Sequence, residues 1–204
     1  MTKLSVSVAI LAAVILLALA CSSSSSTESV NSPTATCAAS ATHTTSATGT
    51  AAPAGGSNES DYFTQLASIF AGGLTGSDNA NTKLNNDLSC AQTLDENRTA
   101  INTFLDSMVG VFGAAITRMQ ALNPPADAMD AHNKFLQDVQ NAKAKSSDLK
   151  NQLASASTTA DFSTIVNAFN TDVDALVSDA NVACVALQDL DNQHGANIDL
   201  SCGQ

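Results

Sequence analysis

The sequence predicts an all-α protein, an antiparallel up-down four-helix bundle with a kinked or broken first helix, preceded by a disordered tether. Three observations lead there. Apolar residues after residue 60 recur at steps of three and four, the spacing that keeps side chains on one side of a helix. Helix-start signals sit where those stripes need them. The composition also changes abruptly near residue 59, which separates a chain able to build a core from one that is not.

The stripes define three of the four helices. One runs through Ile101, Leu105, Met108, Phe112, Ala115, Met119 and Leu122. A second runs through Ala128, His132, Phe135, Val139, Ala142, Ser146, Leu149 and Leu153, and a third through Phe162, Val166, Phe169, Val173, Leu176, Ala180, Ala183, Leu187 and Leu190. Thr93-Leu94-Asp95-Glu96 and Thr158-Thr159-Ala160-Asp161 read as capping boxes, and Asn123-Pro124-Pro125 stops one helix and starts another. The stretch from 60 to 92 is less regular. Tyr62, Phe63, Leu66, Ile69 and Phe70 form a short apolar face, which Gly72, Gly73 and Gly76 interrupt before Leu84 and Leu88 resume it; these glycines predict the kink or break. No segment alternates with period two for more than a few residues, so strands are not expected. Short connections between long helices favour antiparallel neighbours.

Residues 22–58 are Ser, Thr, Ala, Gly or Pro at 31 of 37 positions and hold no aromatic residue. Such a segment buries too little apolar surface to offset the entropy of ordering it. It reads as a linker with an end-to-end distance of about 30 to 35 Å. The domain organisation that follows is an export signal over 1–20, a linker over 21–58 and a helical domain over 59–204.

The first residues carry Lys3 and then an uncharged apolar run from Val8 to Ala20, the pattern of a secretory signal. It is shorter than the roughly 18 to 20 apolar residues that cross a bilayer as a helix. Leu17-Ala18-Leu19-Ala20-Cys21 resembles the lipobox of bacterial lipoproteins, with Ala18 where that motif most often has Leu. The resemblance implies cleavage before Cys21 and a diacylglycerol thioether on its sulfur, often with an acylated new amino terminus. Each buried methylene of such chains contributes about 0.8 kcal/mol to membrane attachment. The expected location is then the extracytoplasmic face of a cell membrane, with the lipid as the membrane partner.

Four cysteines remain, Cys37, Cys90, Cys184 and Cys202. An even number in an exported chain suggests two disulfides, with three possible connectivities. In an antiparallel bundle Cys90 ends the first helix at one pole and Cys184 lies near the end of the fourth at the other. Helices of about 30 residues set those poles about 45 Å apart, beyond the roughly 7 Å reach of a bridge. Cys184 with Cys202 is therefore the expected pair, Gly195 ending the helix and Ile198-Asp199-Leu200 folding back. Cys37 with Cys90 is what remains.

Two further segments, Ala121-Leu122-Asn123-Pro124-Pro125 with Asp130-Ala131-His132, and Ala183-Cys184-Val185-Ala186-Leu187-Gln188 with Ile198-Asp199-Leu200-Ser201-Cys202, resemble a group of helical lipoproteins from actinobacteria and related lineages. About 30 residues carry it. It implies the helical fold and the terminal cysteine pair and brings no activity.

The net charge is −11. No Lys or Arg follows Lys150, whereas Asp161, Asp172, Asp174, Asp179, Asp189, Asp191 and Asp199 do, so the last helix is expected to present an acidic, solvated face toward Lys134, Lys143, Lys145 and Lys150 of the preceding one. Nucleic acid is not an expected partner, because phosphate binding needs basic clusters. No Asp-x-Asp-x-Asp-Gly run suggests calcium, and neither Cys-x-x-Cys nor Cys-x-x-Cys-His is present. Only three glutamates occur, Glu28, Glu59 and Glu96, which leaves little for a carboxylate-bridged metal site. His132, on a core stripe, is the one candidate ligand; a bundle can hold haem or a metal through such a histidine and a methionine, with Met108, Met119 and Met129 available. The alternative is a neutral core histidine bonded to a backbone carbonyl. His194 before Gly195 reads as a helix C-terminal cap. The expectation is a non-catalytic tethered bundle, without a cofactor, that binds an envelope protein or a small apolar ligand. The rival is a His132-ligated haem or metal protein.

Overall fold

A computed structural model describes residues 59–202. Cys21, Cys37 and the segments read above as an export signal and a linker lie outside the described residues. Four helices follow one another: α1 (Glu59–Cys90), α2 (Leu94–Gln120), α3 (Met129–Ser155) and α4 (Thr159–Gln193). Among the described residues there is no strand.

The ends form as the side chains dictate. Thr93 accepts from the Glu96 amide while Glu96 accepts from the Thr93 amide, and Thr158 and Asp161 do the same for α4, so both capping boxes are complete. At the other end of α4, His194 is the C-cap and Gly195 follows at φ +72°. The amides of Gly195 and Ala196 close onto the carbonyls of Asn192 and Asp191, a Schellman stop that needs a left-handed residue after the cap. Pro124 and Pro125 lie in the turn between α2 and α3, and α3 begins at Met129. The Arg98 guanidinium reaches across from α2 to the carbonyls of Leu153 and Ala156, where the end of α3 has acceptors without helical partners.

The predicted seams are the buried seams. Ile101, Leu105, Met108, Phe112 and Met119 are buried on α2, and His132, Val139, Ala142, Ser146, Leu149 and Leu153 on α3. Phe162, Val166, Phe169, Val173, Ala180, Ala183 and Leu187 are buried on α4. By length and composition α2 is apolar enough to cross a membrane. It is the helix that packs against both α1 and α3.

The first helix differs from expectation. It runs unbroken for 32 residues through Gly72, Gly73 and Gly76. Each glycine weakens an isolated helix by about 1 kcal/mol, but here packing decides. A Cβ on Gly76 would lie 2.6 Å from Cγ2 of Val111, so this glycine lets α1 approach α2 closely instead of ending the helix.

Chain neighbours pack side by side: α1 on α2, α2 on α3, α3 on α4. The fourth seam, between α1 and α4, has almost no close backbone approach. The core divides accordingly. One cluster fills the pole where α1 and α3 end, around Leu84, Phe104, Leu153 and Phe162. The other fills the opposite pole, around Tyr62, Phe63, Leu66, Met119, Leu187 and Leu200, and there the chain beyond α4 closes the seam.

Charges on the last helix are only partly as expected. Lys145 pairs with Asp172 at 2.5 Å and Lys134 lies 3.9 Å from Asp179. Lys150 turns instead to Asp106 of α2. Asp191 is not on the solvated face at all; it is fully buried.

Candidate functional site

His132 is buried on α3. Its Nδ1 lies 3.0 Å from the Tyr62 hydroxyl of α1. Desolvation lowers the imidazole pKa, opposed by a hydrogen bond to the Met119 backbone. Burial pushes the Tyr62 phenol far above its ordinary value. A neutral ring therefore accepts from the Tyr62 O–H at Nδ1, with the Met119 backbone as its other polar neighbour. The methionines do not converge on the ring: Met108 belongs to the opposite core cluster and Met129 is 46 % exposed. Met119 adjoins it through its backbone. Among the described residues no group of three or more His, Cys, Asp and Glu side chains is arranged to hold a metal ion.

The C-terminal tail is built onto the same pole. Cys184 and Cys202 form a disulfide with Cα atoms 5.6 Å apart; the Cys37–Cys90 pairing involves a residue outside those described. Two side chains of α4 hold the tail beside the bridge. The Gln188 amide donates to the Ile198 carbonyl at 2.8 Å and accepts from the Leu200 amide at 2.6 Å, as a neighbouring strand would. Asp191 accepts from the Ile198 amide at 2.7 Å. This latch presses Leu200 into the core. Asn197 and Ser201 take left-handed φ of 53° and 61° where the tail turns.

His194 does more than cap. Its Nδ1 lies 2.7 Å from Glu59 at the start of α1 and its Nε2 lies 2.9 Å from Asp127 in the α2–α3 turn. Desolvation is the largest single influence and pulls its pKa down, but the hydrogen bonds and charges of Asp127 and Glu59 together outweigh it and leave the pKa raised. The imidazolium is the form that donates to both carboxylates.

Above this pole the unclosed α1–α4 seam leaves an apolar cavity of about 100 Å³. Gly73, Leu74 and Ser77 of α1 face Val177, Ala180 and Asn181 of α4, with Phe112 and Val139 behind them. Phe70 and Phe135, ring centroids 4.7 Å apart, form one wall. The other end is walled by Leu200, Ser201 and the Cys184–Cys202 bridge. No Lys, Arg, Asp or Glu lines it. Comparison with family models, curated proteins and solved structures finds no match for this chain.

The sequence pointed to His132 and to the cysteine pair. It did not point to the cavity, because a void between two helices depends on how far apart they stand. The one legible trace was Gly73, a residue without a side chain on an otherwise apolar face.

Proposed function

We propose that this chain is a lipid-anchored extracytoplasmic protein, attached through Cys21, whose helical domain is a non-catalytic binding module using the α1–α4 cavity. The observation that carries the binding reading is the cavity itself, a concave apolar space with a few polar groups, the usual form of a small-molecule site. The anchor rests on the lipobox-like Leu17–Cys21 segment. A disulfide between Cys184 and Cys202 suits an oxidising compartment outside the cytoplasm. The acidic charge makes nucleic acid a poor partner. A haem- or metal-binding role for His132 draws no support from the ring's surroundings, since Tyr62 and the Met119 backbone already engage it.

Two measurements test the reading. Metabolic labelling with a fatty-acid analogue should mark the wild type and not Cys21→Ala; unlabelled wild type overturns the anchor. Toluene should bind the full chain in phosphatidylcholine nanodiscs, by calorimetry against empty nanodiscs. Gly73→Leu should abolish that binding while keeping the helical spectrum, because a Cβ there meets nothing within 4 Å and leucine favours the helix. Equal binding by both proteins overturns the cavity as the site.

A further inference from the structure

Resting on the cavity reading, we infer that the ligand is a compact neutral amphiphile, a single ring or short chain bearing one hydroxyl or carbonyl, whose polar atom is received by Ser77 and Asn181.

Ser77 is 97 % withdrawn from solvent, at 3 % exposure, and lines the cavity. Its hydroxyl has no hydrogen-bond partner among the described residues. Several serine and threonine hydroxyls on these helices bond to the carbonyl one turn back, as Thr75 does to Ala71 and the equally buried Ser146 to Ala142. Ser77 does not. Asn181 faces it from α4, half-buried, and its amide likewise has no partner among the described residues. Buried polar groups without partners are costly. The buried Ser77 and the half-buried Asn181, on facing helices beside an otherwise apolar space, mark where a ligand's polar atom would find hydrogen-bond partners. An amide and a hydroxyl can each donate and accept, so the group is a hydroxyl or carbonyl and its polarity is not restricted further.

Charge and size narrow the class. The uncharged lining offers no counter-ion, so a carboxylate or ammonium would enter unpaired, at a large desolvation cost; the net charge of −11 adds repulsion for anions. A volume of about 100 Å³ is somewhat below that of the engineered cavity of about 150 Å³ that takes benzene, which matches one ring or a short chain and not a long acyl tail.

The test titrates the full chain in phosphatidylcholine nanodiscs with toluene, benzyl alcohol, benzoate and benzylammonium, which share one ring. Benzyl alcohol should bind most tightly, about five-fold better than toluene, the ratio expected for one added hydrogen bond. Ser77→Ala should remove that advantage and leave toluene binding unchanged; Asn181→Ala should reduce it. Both ions should bind at least ~100-fold more weakly than the alcohol. If toluene and benzyl alcohol bind equally and Gly73→Leu abolishes both, the cavity stands and the polar-head inference falls. Benzoate or benzylammonium binding as tightly as the alcohol overturns neutrality. If none of the four binds, the cavity reading itself is lost.

Discussion

The Tyr62–His132 pair provides the sharpest test of how this core is held. Tyr62→Phe keeps the ring but removes the hydroxyl 3.0 Å from Nδ1. The imidazole, 4 % exposed, then has a buried acceptor with no partner, a loss of about 1 to 3 kcal/mol. His132→Leu leaves the Tyr62 hydroxyl orphaned instead, at a similar cost. The Met119 carbonyl survives that change, because it still accepts from the Leu122 amide at 3.0 Å. Taken together, Tyr62→Phe with His132→Leu removes both orphans, and replacing both partners by apolar groups of similar shape is nearly neutral. The double variant should therefore be more stable than the sum of the singles predicts, with a coupling of about 2 kcal/mol or more. The assay is urea unfolding followed by circular dichroism. With a slope of about 2 kcal/mol per molar, a loss of 2 kcal/mol moves the midpoint by about 1 M. The pH dependence has a definite sign. Burial lowers the folded-state pKa of His132, so the unfolded chain binds more protons below its ordinary value of about 6.5. The stability His132 contributes is complete above that pH and declines as pH falls below it; the wild-type advantage over His132→Leu should shrink on acidification. Additive single effects would refute the pairing. Stoichiometric haem or metal in the purified wild type, lost on His132→Ala, would refute the structural role altogether.

The raised pKa of His194 has the opposite consequence. Its contribution is complete below about 6.5 and lost as pH rises through the folded value, so the wild-type advantage over His194→Gln should shrink on going alkaline, measured as urea midpoints; an advantage that grew with pH would contradict the Glu59–His194–Asp127 bridge. Gln188→Leu should release the tail, read as faster hydrogen exchange at the Ile198 and Leu200 amides with the helices still protected. Cys184→Ser with Cys202→Ser opens a loop of sequence separation 18 and should cost about 3 kcal/mol in the chain-entropy account; an unchanged urea midpoint would show that the Gln188–Asp191 latch suffices. Residues 59–204 alone should give a helical, soluble monomer, since both core clusters lie within them, and a strand-dominated spectrum would refute that.

What the sequence by itself determined was local and periodic. The three apolar stripes, the capping boxes at Thr93 and Thr158 and the stop at His194-Gly195 each depend on residues within a turn or two of one another, so spacing alone reveals them. The Cys184–Cys202 pair was legible because an antiparallel arrangement leaves little choice of partner. Other features needed the tertiary structure. Gly76 reads as a helix breaker in one dimension and proves to be a contact point, because only the approach of Val111 shows why a side chain is unwelcome there. Asp191 reads as one more acid on a solvated helix, yet the returning tail covers it and supplies its donor. The open seam between α1 and α4 is likewise invisible in either helix taken singly. Periodicity says which side of a helix is apolar; the distance and rotation at which two such sides meet arise from packing four of them together, and the cavity with its unpaired Ser77 exists only at that level.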